Sequence, residues 1–171
     1  MFVASQILAV FAGVVFALSY FAKKKNILLI LSILNNIFFG THYLLLGGFT
    51  AAYVIYLTIA FLIGIYFLEK FNKENFNFIV ASLSSIFAIV ITILTWQGAN
   101  LSILPLIAIL FVYVGCTFKN VHVVKIFNLL STITTTINLI IMKSYFGIAQ
   151  NVIILILAVV GIILGLKKAR E

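Results

Sequence analysis

The chain has 171 residues, 65% hydrophobic and 8% charged, with a formal net charge of +8. So few polar groups cannot coat a water-soluble domain, which excludes a soluble enzyme or carrier and makes the lipid bilayer the solvent and first partner. The basic residues fall in short clusters between apolar runs, not on one soluble face, which excludes nucleic acid as a partner and makes them topology signals.

A helix needs about 20 apolar residues to cross roughly 30 Å of hydrocarbon. Punctuation by charge, glycine and asparagine divides the chain into seven such runs, at 2–22, 26–46, 49–68, 76–96, 101–117, 121–142 and 146–166. The first run is followed by Lys23, Lys24 and Lys25. That is the reverse of a secretory signal's charge order, so the run is expected to stay as a helix with its N-terminus outside. Gly47-Gly48 and Lys143-Ser144 must each reverse the chain in a tight turn. The runs are continuous and lack two-residue alternation, which argues against a membrane barrel. Cys116, the single cysteine, has no partner for a disulfide or a thiolate metal site and is assigned to packing.

Cytoplasmic loops collect Lys and Arg. With seven spans, Lys23, Lys24, Lys25, Lys70, Lys73 and Lys119 fall on one side together with Lys125, Lys167, Lys168 and Arg170, and only Lys143 of the 11 basic residues falls on the other. An odd number of helices follows, with the N-terminus outside and the C-terminus cytoplasmic. Lys125 lies a turn inside the sixth span, and its long stem is expected to carry the ammonium back to the interface.

A shift of 96 positions lays the first three spans over the last three. Ser32, Asn35, Asn36 and His42 then fall on Asn128, Ser131, Thr132 and Asn138, so all four positions stay polar. Helical spacing puts Ser32, Asn35, Phe39 and His42 on one stripe and Asn128, Ser131, Thr135 and Asn138 on its counterpart, with Asn36 and Thr132 flanking. The fold class predicted is therefore an all-α membrane protein, a single membrane domain of seven transmembrane helices in a 3+1+3 parallel-repeat bundle. Its parts are repeat one at 2–68, a linker helix at 76–96 and repeat two at 101–166. Amides and hydroxyls at mid-membrane serve as interhelical hydrogen bonds or as a polar solute path.

The chain resembles the YgjV family of bacterial inner-membrane proteins, itself similar at a distance to the sugar-transporting SWEET and PQ-loop families. The resemblance is carried by Ser5-Gln6, by His42-Tyr43-Leu44-Leu45-Leu46-Gly47 with Ala51-Ala52, by Leu104-Pro105 and by Ser131-Thr132. It implies a three-one-three helical bundle in the bacterial inner membrane and a transport role. Thr58 and Phe61 stand where the resemblance would put asparagine and arginine, so a substrate needing that cation could not bind in the same way. Pro105 has no proline counterpart in the first span, where Ala9 stands, and the PQ dipeptide is absent.

The three carboxylates, Glu69, Glu74 and Glu171, are all expected in cytoplasmic loops or the tail. With no acid in a span, ion coupling loses its usual group, and paired acids, metal clusters and phosphate loops are missing too. Neither an enzyme nor a cofactor nor a metal site is expected. The leading expectation is a SWEET-like facilitative transporter of a small uncharged polar solute. Asn35, Asn36, Ser131 and Thr132 would bind the solute, and His42 and Asn138 would form an outer gate. Gln6, Tyr53, Gln150 and Asn151 either join His42 in an outer vestibule or face headgroups. The alternative is a non-catalytic membrane scaffold or accessory subunit in which the polar stripes only hold helices together. Both leave the oligomeric state open.

Overall fold

In the computed structural model of the protein, which describes residues 2–141 and 144–168, the chain forms seven α-helices. They are α1 (Phe2–Ser19), α2 (Lys25–Leu45), α3 (Phe49–Lys70), α4 (Asn77–Leu94), α5 (Ala99–Thr117), α6 (Val121–Ile141) and α7 (Tyr145–Lys168), with a short 3-10 turn at Glu74–Phe76 before α4. Each expected span has its helix. The turn expected at Lys143 lies partly outside the described residues, as do Arg170 and the side chains of Lys167 and Lys168. By length and composition five helices can cross a membrane: α2, α3, Glu74–Leu94, α6 and Gly147–Gly165 within α7. The apolar helices α1 and α5 are shorter over their described side chains.

Six helices close a ring. α1 packs on α2, α2 on α3, α3 on α5, α5 on α6, α6 on α7 and α7 back on α1, while α4 lies outside against α3 and α5. The sequence of α4 explains its place. Ala81, Ser84, Ala88 and Thr92 recur at helical spacing and are buried, so small side chains let α4 approach the ring closely. Its other face presents Phe78 at 71% and Leu94 at 77% exposure, a surface suited to lipid.

The reversals are made with little chain. Gly47 takes a positive φ of 79°, its N–H donates to Leu44 O at 3.1 Å, and the Gly48 N–H donates to Tyr43 O at 2.9 Å. That pair of bonds is a Schellman cap, which ends α2 and lets α3 begin at Phe49 with no loop. The α3 end is built alike. Asn72 supplies the positive φ of 57°, and the Lys73 N–H donates to Leu68 O at 2.8 Å.

Two apolar clusters hold the ring. The larger centres on Leu29, Val54, Leu62, Ile65 and Tyr113, largely on the α2, α3 and α5 side. The smaller joins Tyr20, in the turn just after α1, to Ile154 and Ala158 of α7. There the turn after α1 nearly touches α7: a Cβ at Gly161 would lie 2.9 Å from the Tyr20 backbone oxygen.

Candidate functional site

A cavity of about 80 Å³ occupies the middle of the ring, with a lining drawn from all six ring helices and none from α4. A water occupies ~10–15 Å³ on this measure, so the space holds several. α2 and α6 face each other across it. Ser32, Asn35 and Asn36 look in from α2, and Asn128, Ser131 and Thr132 from α6. Thr135, Asn138, Gln150 and Asn151 extend the polar wall, while Ile55, Pro105, Ile109 and Val112 make the opposing wall apolar. Among the described residues no lining side chain carries a charge.

Several polar side chains are satisfied by their own helix. Asn36 Nδ2 donates to Ser32 O at 2.7 Å, Thr132 Oγ1 to Asn128 O at 2.8 Å and Thr135 Oγ1 to Ser131 O at 2.9 Å. Asn151 Nδ2 donates to Thr136 Oγ1 at 3.2 Å. Others are not. Ser32 Oγ, Asn138 Oδ1 and Gln150 Oε1 are buried without a hydrogen-bond partner, and all three residues line the cavity. A buried polar group left unpaired costs about 1–3 kcal/mol, so two amide acceptors and one hydroxyl around one cavity call for hydrogen-bonding partners inside it.

Asn35, Asn36, Ser131, Thr132 and Asn138 thus line one cavity, whereas His42, expected at an outer gate, stands apart from that lining. Its ring is fully buried between α1 and α2, with Nδ1 2.9 Å from Ser5 O and the ring plane stacked on Phe39 at 5.7 Å. Tyr43, one residue on, lines the cavity instead. Gln150 and Asn151 line the cavity itself, whereas Tyr53 is 46% exposed on the outside of the bundle. Thr58 and Phe61 fill the α3–α5 seam. Thr58 Oγ1 and Tyr113 Oη lie 3.1 Å apart, and the Phe61 and Tyr113 rings are 4.4 Å apart.

The end of the bundle that carries Lys25 holds a second polar cluster that sequence reasoning missed. Glu69 belongs to the last turn of α3, not to a loop, and pairs with Lys25 at 2.6 Å, the two side chains being 9% and 7% exposed. Lys25 Nζ also donates to Cys116 O at 2.9 Å, and Asn77 Nδ2 donates to Glu69 Oε1 at 2.9 Å, so one pair joins α2, α3, α4 and α5. The signal was thin, because the apolar run stops at Leu68 and Lys25 looks like the third member of a surface triplet. Lys125 departs from expectation too, being 3% exposed as a residue. At the surface, Glu74 pairs with Lys119 at 2.5 Å and holds its ammonium pKa above the ordinary lysine value.

At the opposite end Gln97, in the α4–α5 connection, clips two turns together. Its amide donates to Gly47 O at 3.0 Å, and its carbonyl accepts the Thr50 N–H at 3.0 Å.

Seven apolar helices, six of them closed around an uncharged polar cavity, define a polytopic helical membrane protein. More narrowly, the chain belongs to the Imp-YgjV family of bacterial inner membrane proteins, whose family model matches residues 3–168, and it is a multi-pass protein of that membrane. No curated protein and no solved structure matches it.

Proposed function

We propose that the protein is a facilitative transporter that moves a small uncharged polar solute by alternating access, in the manner of the SWEET-like proteins. The observation that carries this is the central cavity, walled by amides and hydroxyls from facing helices and free of charged side chains. Asn35, Asn36, Ser131 and Thr132 would hydrogen-bond the solute near mid-membrane. Asn138 and Tyr43 would close the outer side, where the sequence alone suggested His42. The two unpaired amide oxygens and the unpaired Ser32 hydroxyl favour a solute bearing hydroxyl groups, which both donate and accept.

The moving parts would be two triplets, α1–α3 and α5–α7, linked by α4 as a 3+1+3 parallel repeat. The ring of contacts supports this, since exchanging α1 with α5, α2 with α6 and α3 with α7 carries the α3–α5 contact onto α7–α1. The charge asymmetry along the sequence favours placing the Lys25 end in the cytoplasm. A passive mechanism is favoured because the one acid inside a helix end, Glu69, is occupied by Lys25 and lies outside the cavity lining.

The test is flux of glycerol and of larger uncharged polyols into proteoliposomes, with Asn35 and Asn36 replaced together by Leu. Loss of flux in a variant that unfolds at the native temperature is the expected result, and unchanged flux removes these residues from the mechanism. Single cysteines at 35 and 131 in a Cys116→Ala background should react with a water-soluble maleimide. Dry positions would favour a non-catalytic scaffold instead.

A further inference from the structure

The ring has two seams that join one triplet to the other, and they are built differently. The α3–α5 seam is filled by the Phe61–Tyr113 pair, tied by Lys25 to the Cys116 carbonyl, and covered by α4. Among the described residues no helix covers the α1–α7 seam. Alongside it runs an apolar groove of about 440 Å³, walled by Val10, Val14 and Leu18 of α1 and by Ile153 and Leu157 of α7. From Val10 to Leu18 it follows α1 for eight residue steps, about 12 Å at ~1.5 Å per residue, most of the depth of one hydrocarbon leaflet, and Phe21 extends it past the end of the helix.

Groove and central cavity share two lining residues, Gln150 and Ile154, so a single layer of side chains separates lipid from the polar interior. Gln150 is the polar member of that layer. Its amide N–H donates to Ala9 O across the seam, over Gly13, where a Cβ would collide with the amide. Only the nitrogen can donate to a carbonyl, so the assignment leaves Oε1 as the buried acceptor without a donor. An unpaired amide oxygen beside an apolar groove is costly, and a hydroxyl entering from the groove would satisfy it.

Resting on the transport reading above, we infer that the seam is a lateral portal and that the solute is an amphiphile, an uncharged hydroxyl-bearing head on a single acyl chain. The head passes Gln150 into the central cavity while the chain stays in the α1–α7 groove. An acyl chain is the fitting occupant because the groove is apolar, opens on the bilayer and runs for most of one leaflet's depth.

The probe is a monoacylglycerol with a photoactivatable group in its chain, added to phosphatidylcholine vesicles holding the full-length protein, with cross-linked positions mapped by mass spectrometry. Cross-links are expected to concentrate at 10–18 and 149–157. They should fall several-fold with excess unlabelled monoacylglycerol, and also in Val14→Trp, which fills the groove from an exposed position, and in Gln150→Leu, which removes the acceptor. Labelling spread equally over the lipid-facing side chains of α4, such as Phe78 and Ile86, or labelling indifferent to competitor and to Val14→Trp in a protein of unchanged melting temperature, overturns the portal. The two readings fail separately. Polyol flux that survives Val14→Trp, with no specific labelling, leaves transport standing and removes the portal, whereas specific labelling in a protein without flux through Asn35 and Asn36 does the reverse.

Discussion

Breaking the Lys25–Glu69 pair should be the most damaging single change outside the cavity. Both side chains are less than a tenth exposed, and Glu69 is the shared acceptor for Lys25 and Asn77. Glu69→Leu strands a buried ammonium with only the Cys116 carbonyl, and removing one partner of such a pair costs about 3–5 kcal/mol. At about 2–4 °C per kcal/mol for a chain of this size, the midpoint should fall by roughly 6–20 °C. Lys25→Met leaves the carboxylate with Asn77 and should cost a similar amount. The double replacement removes both charges and should recover much of the loss, because apolar substitutes for a buried pair are often neutral or better. The lost Asn77 bond is common to Glu69→Leu and to the double variant, so it cancels in the cycle. Cys116 is 1% exposed and is the only thiol, so a fluorogenic maleimide that reacts on unfolding reports the midpoint directly. Singles whose losses simply add, with a coupling below about 0.5 kcal/mol, would refute the claim that the two charges hold each other in place.

The same thermal assay separates two glycines. Gly161→Ala drives a methyl against the Tyr20 backbone oxygen and should cost about 1–3 kcal/mol, whereas Gly64→Ala meets only Val80 at 3.8 Å and should stabilise by about 0.5–1 kcal/mol. Gln97→Ala loses its bonds to Gly47 O and the Thr50 N–H, worth about 0.5–1.5 kcal/mol each, and should speed hydrogen exchange at the Thr50 amide while leaving α6 amides unchanged. The native protein in membranes should resist maleimide at Cys116 until denaturant is added, and rapid labelling of the folded protein would contradict its burial.

The helices were legible because a bilayer leaves an unsatisfied backbone no alternative, so apolar runs of sufficient length with charged ends become helices whatever their neighbours. Their ends moved where a cap or a buried partner decided the matter. α3 continues past Leu68 to Lys70 because Glu69 finds Lys25 inside, a pairing across 44 residues that no local pattern carries. The cavity was legible as a stripe, and its error is a matter of angle. A helix of 3.6 residues per turn advances about 100° per residue, which puts position 43 about 20° from the direction of Ser32 and position 42 about 80° away. Polarity pointed to His42, geometry to Tyr43.

In α6 the equivalent choice goes the other way. Asn138 lines the cavity while Leu139 is packed into the core, although the angular arithmetic is the same. α2 and α6 are therefore turned by different amounts toward the shared space. Beside α6 stands α7, which brings the polar Gln150 and Asn151 to the cavity, whereas α3, beside α2, brings the apolar Ala51 and Ile55. A sequence repeat assigns the same partner to both stripes and so predicts a symmetric cleft. The neighbouring helices break that symmetry, leaving one polar wall and one apolar wall, and the polar wall ends at the loosely closed α1–α7 seam. An amphipathic cavity next to an uncovered seam is a geometry that the polar positions of α2 and α6, considered alone, could not reveal.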